Sequence, residues 1–484
     1  METLQRMHNR GSISTEAYEI GNSLKFETAN TESLTKSQTA SNRRTWTLSF
    51  WFKKTKVDTA TQYIFQSVVN SSTTLDLFVN GTTDWRIYEY VSGSRNLAFY
   101  STVPLKDPSA WYHLVVACDT TQGTEANRFK IYLNGVDVTA ISGYFSTAAY
   151  PAQNYETHIN NSAATLSIGK STSASTNFCG YISEFNFIDG LMKDAEDFGR
   201  YDSASAIWTP IEYTGSYGSE GYFLNFADAN SLGNDANGGT DFTKNNIAAS
   251  DQALDTPTNN FCTMALRVRA GTSSEDAPIR EGGTYMPIDG TNQFLAYFGT
   301  IGVTKGKWYW EVYIPSRSAS YGLLDYIGLH SMQVIPVGAS ATGGTSQCNY
   351  VLHYGDYNAT VNGTNSGQNN AAGLPSYGTN GAGKLFGVAF DATNGKITYY
   401  ESGNRIGNLN IDIFDLHDDM ADGIFVHPFI QVYDNNMYIN FGGVSSWASP
   451  SDYDKTDANE YGSFAYTPPT GYYALCTKNL AEFG

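Results

Sequence analysis

The stretch Trp46-Thr-Leu-Ser-Phe-Trp-Phe52 decides the reading of this chain. Large apolar residues at 46, 48, 50 and 52 alternate with mostly polar ones. A period of two puts those four side chains on one face, so the segment is a strand with that face buried. Further strands follow outward. Residues 111–118 (WYHLVVAC) form a continuous β-favouring run, as expected of a central strand. Residues 129–133 (FKIYL) and 136–138 (VDV) flank Asn134-Gly135, a pair that accepts the positive φ of a two-residue hairpin turn. Residues 167–169, 180–187 (GYISEFNF) and 222–226 (YFLNF) add more.

The second half repeats the grammar. Residues 307–314 (KWYWEVYI), 326–330, 385–390 (LFGVAF) and 396–400 (KITYY) read as strands, the last two joined across Asn394-Gly395. Residues 426–433 and 437–443 read as another hairpin across Asp434, Asn435 and Asn436. One short helix is expected, over 192–201. Gly, Asn, Ser and Thr clusters punctuate throughout. The fold class is therefore all-β: two tandem antiparallel β-sandwiches with a short N-terminal arm.

Composition narrows the function. The 484 residues carry 29 Lys and Arg against 47 Asp and Glu, a net charge of −18. Such a surface repels phosphates, which argues against nucleic acid as a partner. Only 16% of residues are charged while 14% are aromatic, enough ring mass for a large core. No window approaches 18 consecutive apolar residues, so no membrane insertion by a helix is expected. Residues 1–20 carry Arg6 and Arg10 but no apolar run, unlike a secretory signal. The five cysteines (118, 179, 262, 348, 476) contain no CxxC pair and read as buried reduced thiols, which fits assembly in a reducing cytoplasm.

The expected boundaries are an arm over 1–20, a first sandwich over 21–250, a polar linker and entry segment over 251–284, a second sandwich over 285–476 and a tail over 477–484. Residues 337–381 are rich in Gly, Asn, Ser and Thr and read as long loops, where binding commonly resides.

Residues 22–226 resemble the laminin-G-like, concanavalin-A-like jelly roll, through WTLSFWF (46–52), WYHLVVACD (111–119), FKIYLNGVDV (129–138) and the strands over 168–187. Residues 285–475 resemble a SPRY-like sandwich, through GKWYWEV (306–312), YIGL (326–329), FGVAFD (386–391), HPF (427–429) and NFG (440–442). The tandem, with GYYALCTKNL at 471–480, is similar to structural proteins of marine tailed phages. Relatives of that kind often run past such an ending, which implies a shortened chain. The resemblance implies a virion-surface protein, a tail or head fibre that adheres to a host-surface glycan. It implies a homotrimer attached by its N-terminus to other virion proteins (portal or adaptor, tail or capsid). The rival expectation is a capsid decoration protein that binds no receptor, and the less favoured one a glycan-degrading tailspike.

The site residues follow. No HExxH or GxSxG occurs, and the P-loop spacing before Gly169-Lys170-Ser171 fails at Ala164. No strand carries the paired carboxylates of a glycosidase; Glu89 and Glu184 stand alone and read as rim residues. No catalytic residue is therefore assigned. His113 and His330 lie inside apolar strands and read as core histidines. The laminin-G-like resemblance implies Ca²⁺, for which Asp228, Asp235, Asn237 and Asp241 supply hard oxygens; the alternative is a series of Asx turns. Asp415, Asp418, Asp419 and Asp422 form a second acidic loop, read as solvated. A sugar needs rings for its C–H faces and polar groups for its edges. Tyr144, Phe145, Tyr150, Tyr155, Tyr350, Tyr354 and Tyr357 are the loop aromatics offered for that role, with core packing as the alternative. In the arm, Arg6, His8 and Arg10 are expected to dock on the particle.

Overall fold

The structure is a computed structural model. It describes residues 18–484 apart from 28, 59, 173–175, 204, 270–278, 289–294, 317–325, 332–348, 354–358, 362–363, 366–381, 413–423, 433–434, 445–446 and 448–449. The regular structure of the described residues is almost all strand, in mainly antiparallel sheets stacked as sandwiches, as the alternation demands. They divide into two units at Thr258 and Asn259.

In the first unit, one sheet centres on Thr45–Lys54, flanked by Trp111–Asp119 and Gly180–Asp189. Its partner sheet runs Phe145–Ala149, Ser94–Ser101, Asp84–Val91, Thr73–Asn80, Thr61–Asn70, Thr165–Ile168, Ser33–Ser37, Thr243–Asn245. Trp46, Leu48, Phe50 and Phe52 pack between the sheets against Leu75, Leu77, Trp85, Ile87 and Phe99. Phe50 stacks on Phe185 at 5.0 Å between centroids. The Asn134-Gly135 hairpin forms with both residues at positive φ, 49° and 82°.

The Thr45–Lys54 strand is buried on both faces, although only one was expected. A third layer explains it. Ile20, Ala195, Phe198, Trp208 and Tyr213 cover the outer positions Trp51, Val115 and Ile188. Trp208 lies against Gly135 and Gly199, where a β-carbon would meet its ring at 2.3 Å and 2.5 Å. The helix expected over 192–201 is part of this layer and is not a helix. It is one 3-10 turn, Ala195–Asp197, followed by the strand Gly199–Tyr201, which pairs with Trp208–Pro210. The strand pairing that seats Trp208 on Gly199 is incompatible with a continued helix.

Within the segment expected as a linker and entry over 251–284, residues 251–269 are built into the two units. Gln252–Ala253 pairs with Ser23–Phe26, and buried Lys53 donates to Asp255 at 2.7 Å, so 251–258 completes the first sandwich. Ile20 is tied to Thr258 through its amide and its carbonyl, both at 3.1 Å, so the chain up to 20 is not wholly a separate arm. Met264–Arg269 is already a strand of the second unit.

In the second unit, Leu295–Gly299, His427–Val432 and Tyr326–His330 lie in one sheet, and Met437–Asn440, Lys307–Ser316, Ala382–Asp391 and Lys396–Glu401 in the other. Trp308, Trp310, Val312, Phe386 and Val388 meet Ile327, Leu329, Ile430 and Val432 in the core. The hairpin expected over 426–443 is absent. Its two arms belong to opposite sheets, because Ile430 and Val432 enter the core from one side and Met437 and Ile439 from the other. The tail forms the one α-helix among the described residues, Thr477–Phe483. Leu480 is buried, and Phe483 stacks on Tyr473 at 3.9 Å.

Candidate functional site

The outer face of the first unit's second sheet carries a cluster of rings with two guanidiniums over them. Its four-strand meander, Thr61–Asn70, Thr73–Asn80, Asp84–Val91 and Ser94–Ser101, alternates strictly enough to divide two sets of side chains. Leu75, Leu77, Trp85, Ile87, Leu97 and Phe99 enter the core. The opposite set forms rows across the strands. One row is Tyr63, Phe78, Arg86, Tyr100; the next is Ser167, Gln66, Asp76, Tyr88, Ala98; the third is Val68, Thr74, Tyr90, Arg95.

The rings touch one another. Tyr63 stacks on Phe78 at 4.9 Å, and Tyr88 meets the edge of Phe78 at 5.6 Å and Tyr100 at 6.3 Å. The Arg86 guanidinium lies 4.7 Å above the Tyr100 ring and pairs with Asp84 at 2.5 Å. The Arg95 guanidinium lies 5.1 Å above Tyr88, 5.8 Å above Tyr100 and 6.0 Å above Tyr90. Beneath them sits a polar floor. Asp76, 3% exposed, accepts from Gln66 at 2.6 Å and from the Thr74 hydroxyl at 2.8 Å. Burial pushes its carboxyl above the ordinary range, and the Gln66, Thr74 and Tyr88 hydrogen bonds offset part of that. Burial, then the Asp76 carboxylate, push the Tyr88 hydroxyl up. Thr172 donates to Gln66 Oε1 from its amide at 2.9 Å and its hydroxyl at 3.0 Å, so the loop after Ile168 approaches this face. Rings for C–H surfaces beside fixed acceptors and guanidinium donors suit a polyhydroxylated ligand.

None of these residues was singled out from the sequence. Alternation in TTLDLFVN (73–80) and DWRIYEYV (84–91), broken by Phe78 on the outer set and Glu89 on the inner one, with Ser92-Gly93 between paired Val91 and Ser94, was the available signal.

The loop tyrosines chosen from sequence sit elsewhere. Tyr144 and Phe145 pack edge-on against Trp85 at 6.3 Å and 5.7 Å, and Tyr150 edge-on against Phe99 at 5.0 Å. Tyr155 accepts from Asn96 at 2.8 Å, and burial followed by the nearby Glu89 carboxylate pushes its hydroxyl up. All four rings are thus occupied in packing or interior hydrogen bonds. Tyr350 lies on the strand Asn349–His353, and its side chain is outside the described residues, as are Tyr354, Tyr357, Arg6, His8, Arg10 and the acidic loop at 415–422.

The calcium set does not converge. Asp228 Oδ1 accepts from Asn230 N, Asp235 Oδ1 from Phe223 N and Asn237 N, and Asp241 Oδ1 from Asp235 N. Asn237 Nδ2 donates to Gly221 O at 3.4 Å. These are Asx turns and loop ties, the alternative reading. Lys36 faces Asp235, Glu220 and Asp241, which oppose the downward pull of burial on its ammonium. Among the described residues no three His, Cys, Asp or Glu side chains gather as a metal site, so the set does not fit Ca²⁺.

Glu89 and Glu184 are interior rather than rim residues. Glu89 accepts from the His158 amide and Nδ1, both at 2.6 Å. Glu184 sits at a bulge with φ 49° and accepts from the Tyr18 hydroxyl at 2.6 Å; burial pushes it up to about 7. His113 is buried, accepting from Trp208 Nε1 at 3.0 Å and lying 2.9 Å from the Ser49 hydroxyl. Burial pulls it down to about 3. His330 is buried against Phe298 and Phe429.

Comparison with known proteins places part of this chain. Residues 27–196 match the family model described as the concanavalin A-like lectin/glucanases superfamily. No curated protein matches the chain. Among solved structures, a putative carbohydrate binding protein from Bacteroides ovatus is 14% identical, overlaid on 48% of this chain and 59% of its own, with a TM-score of 0.31. Domains LG4-5 of the mouse laminin alpha1 chain are 9% identical over 96% of this chain and 90% of theirs, at 0.27. The SPRY domain of human HERC1 is 16% identical over 33% of this chain and 93% of its own, at 0.21. These overlays are loose, and the assignment rests on the family model and the sheets themselves. The first sandwich contains a laminin G-like, concanavalin A-like domain.

Proposed function

We propose that this protein is a non-enzymatic glycan-binding protein of a virion surface, a tail or head fibre whose first sandwich adheres to host polysaccharide through its tyrosine-arginine face. The observation that carries the reading is the set of rows Tyr63-Phe78-Arg86-Tyr100 and Gln66-Asp76-Tyr88, rings laid over buried hydrogen-bonding groups on a rigid sheet. Rigid aromatic anchors bury area at little cost in side-chain entropy, and fixed polar groups orient the ligand. The family of residues 27–196 includes lectins, which supports the same reading. The likeness of the tandem to phage structural proteins supports display on a particle, a SPRY-like second sandwich, a homotrimer and attachment through residues 1–20 to other virion proteins.

The test is a glycan array and a host-polysaccharide pull-down with the full chain, its Tyr88→Ala variant and its Tyr100→Ala variant. Binding that falls at least tenfold in either variant supports the reading. Binding untouched by both, or release of reducing sugar from the polysaccharide, overturns it.

A further inference from the structure

The two guanidiniums of the face are not equivalent. Arg86 is neutralised by Asp84, which also accepts from Asn80 and Thr83, each at 2.7 Å. Arg95 is exposed, and no carboxylate pairs with it among the described residues. The chain has 47 acidic groups for 29 basic ones, so a cation held on three rings without a counter-charge is against the composition. Ring contact holds a guanidinium by its attraction to the π-face and consumes no hydrogen-bond donor. The N–H fork stays available, in the geometry that matches a carboxylate or a sulfate. The backbone fixes its place: the bulge between Glu89 and Tyr90 sets Arg95 opposite Tyr90, while Tyr88 faces Ala98, 2% exposed beneath the cluster.

The geometry points to an acidic glycan as the ligand of this face, with the carboxylate or sulfate of one sugar residue bound by the Arg95 guanidinium that Tyr88, Tyr90 and Tyr100 hold in place. This rests on the glycan-binding reading and deepens it. Because the chain as a whole is at −18, a polyanion gains no general electrostatic attraction to it, and what this face can select is one discrete anionic group.

The experiment measures binding of the full chain to matched oligosaccharides. An oligogalacturonide is set against the same oligomer with its carboxyls reduced to alcohols, and a sulfated galactan oligomer against its desulfated parent. The two arms distinguish carboxylate from sulfate. At least one acidic member is expected to bind tenfold or more tighter than its neutral match. In Arg95→Gln that ratio falls to near one, Arg95→Lys recovers part of it, and Lys478→Gln, which removes the same charge from the second sandwich, keeps it. Circular dichroism confirms that each variant is folded. Equal binding of acidic and neutral members, or preference for the neutral ones, overturns the acidic assignment while the face still binds glycan. A ratio that survives Arg95→Gln also overturns it. If no member binds, the acidic assignment fails for both chemistries, and the array then decides the glycan reading by itself.

Discussion

The two outer faces of the first sandwich were built by the same alternation and put to opposite uses. Outside the Thr45–Lys54 sheet, Trp51, His113, Val115 and Ile188 are roofed by the excursion carrying Ala195, Phe198, Trp208 and Tyr213. Outside the meander, Tyr63, Arg86, Tyr88, Tyr90, Arg95 and Tyr100 face one another with solvent within reach. Aromatic content alone does not distinguish these faces. What does is whether another described segment covers them: one face is roofed by its own chain, and the other is not covered by any described residue.

Acid should break the covered face hardest. His113 is held neutral with a folded value of about 3 against an ordinary 6.5, so the native state binds fewer protons than the unfolded chain in that interval. Stability from this group is complete above about 6.5 and is lost as pH falls toward 3, by roughly 5 kcal/mol at about 1.36 kcal/mol per unit. Denaturant melts of the first sandwich from pH 7 to pH 3 should show it, and His113→Gln should flatten the acid limb. Next comes Trp208→Ala, which empties the slot over Gly135 and Gly199 and orphans His113 Nδ1. It should cost about 3–5 kcal/mol by the same melts.

Glu184 acts in the opposite direction. Its folded value of about 7 lies above an ordinary 4.5, so its contribution is greatest below 4.5 and declines as pH rises toward 7, by about 3 kcal/mol. Glu184→Gln keeps an acceptor for Tyr18 and should raise stability at pH 7. Glu311 in the second sandwich is pushed to the same value by burial, yet its two oxygens accept from Ala465 N at 2.9 Å and Tyr466 N at 2.8 Å. A glutamine there must turn its amide NH₂ toward one of those donors, so Glu311→Gln should destabilise where Glu184→Gln stabilises. The smallest effect belongs to the open face. Tyr100→Ala should change stability by no more than about 1 kcal/mol while glycan binding falls, and a large stability loss would mean the face is structural.

The strands with the loudest patterns were legible: WTLSFWF, the 111–118 run and the Asn134-Gly135 turn stand where their residues put them. The tyrosine-arginine face was not. Its strands mix Asp, Arg and Glu into the alternation, and Glu89, which points inward to His158, disguises the inner set. The 426–443 error has the same root. Two β-favouring runs with a polar break look alike whether they pair or cross between sheets.

By itself, the sequence determined the β-class, the two cores and the acidity of the surface, because side-chain period and charge are local or additive properties. Tertiary structure alone decided which face is roofed, that 251–258 closes the first sandwich, that the tail is a helix with Thr477, Asn479 and Leu480 buried, and that Arg95 stands over three tyrosines. Those depend on strand order and on which distant segment arrives at a face, and no period within one strand encodes the identity of its neighbours.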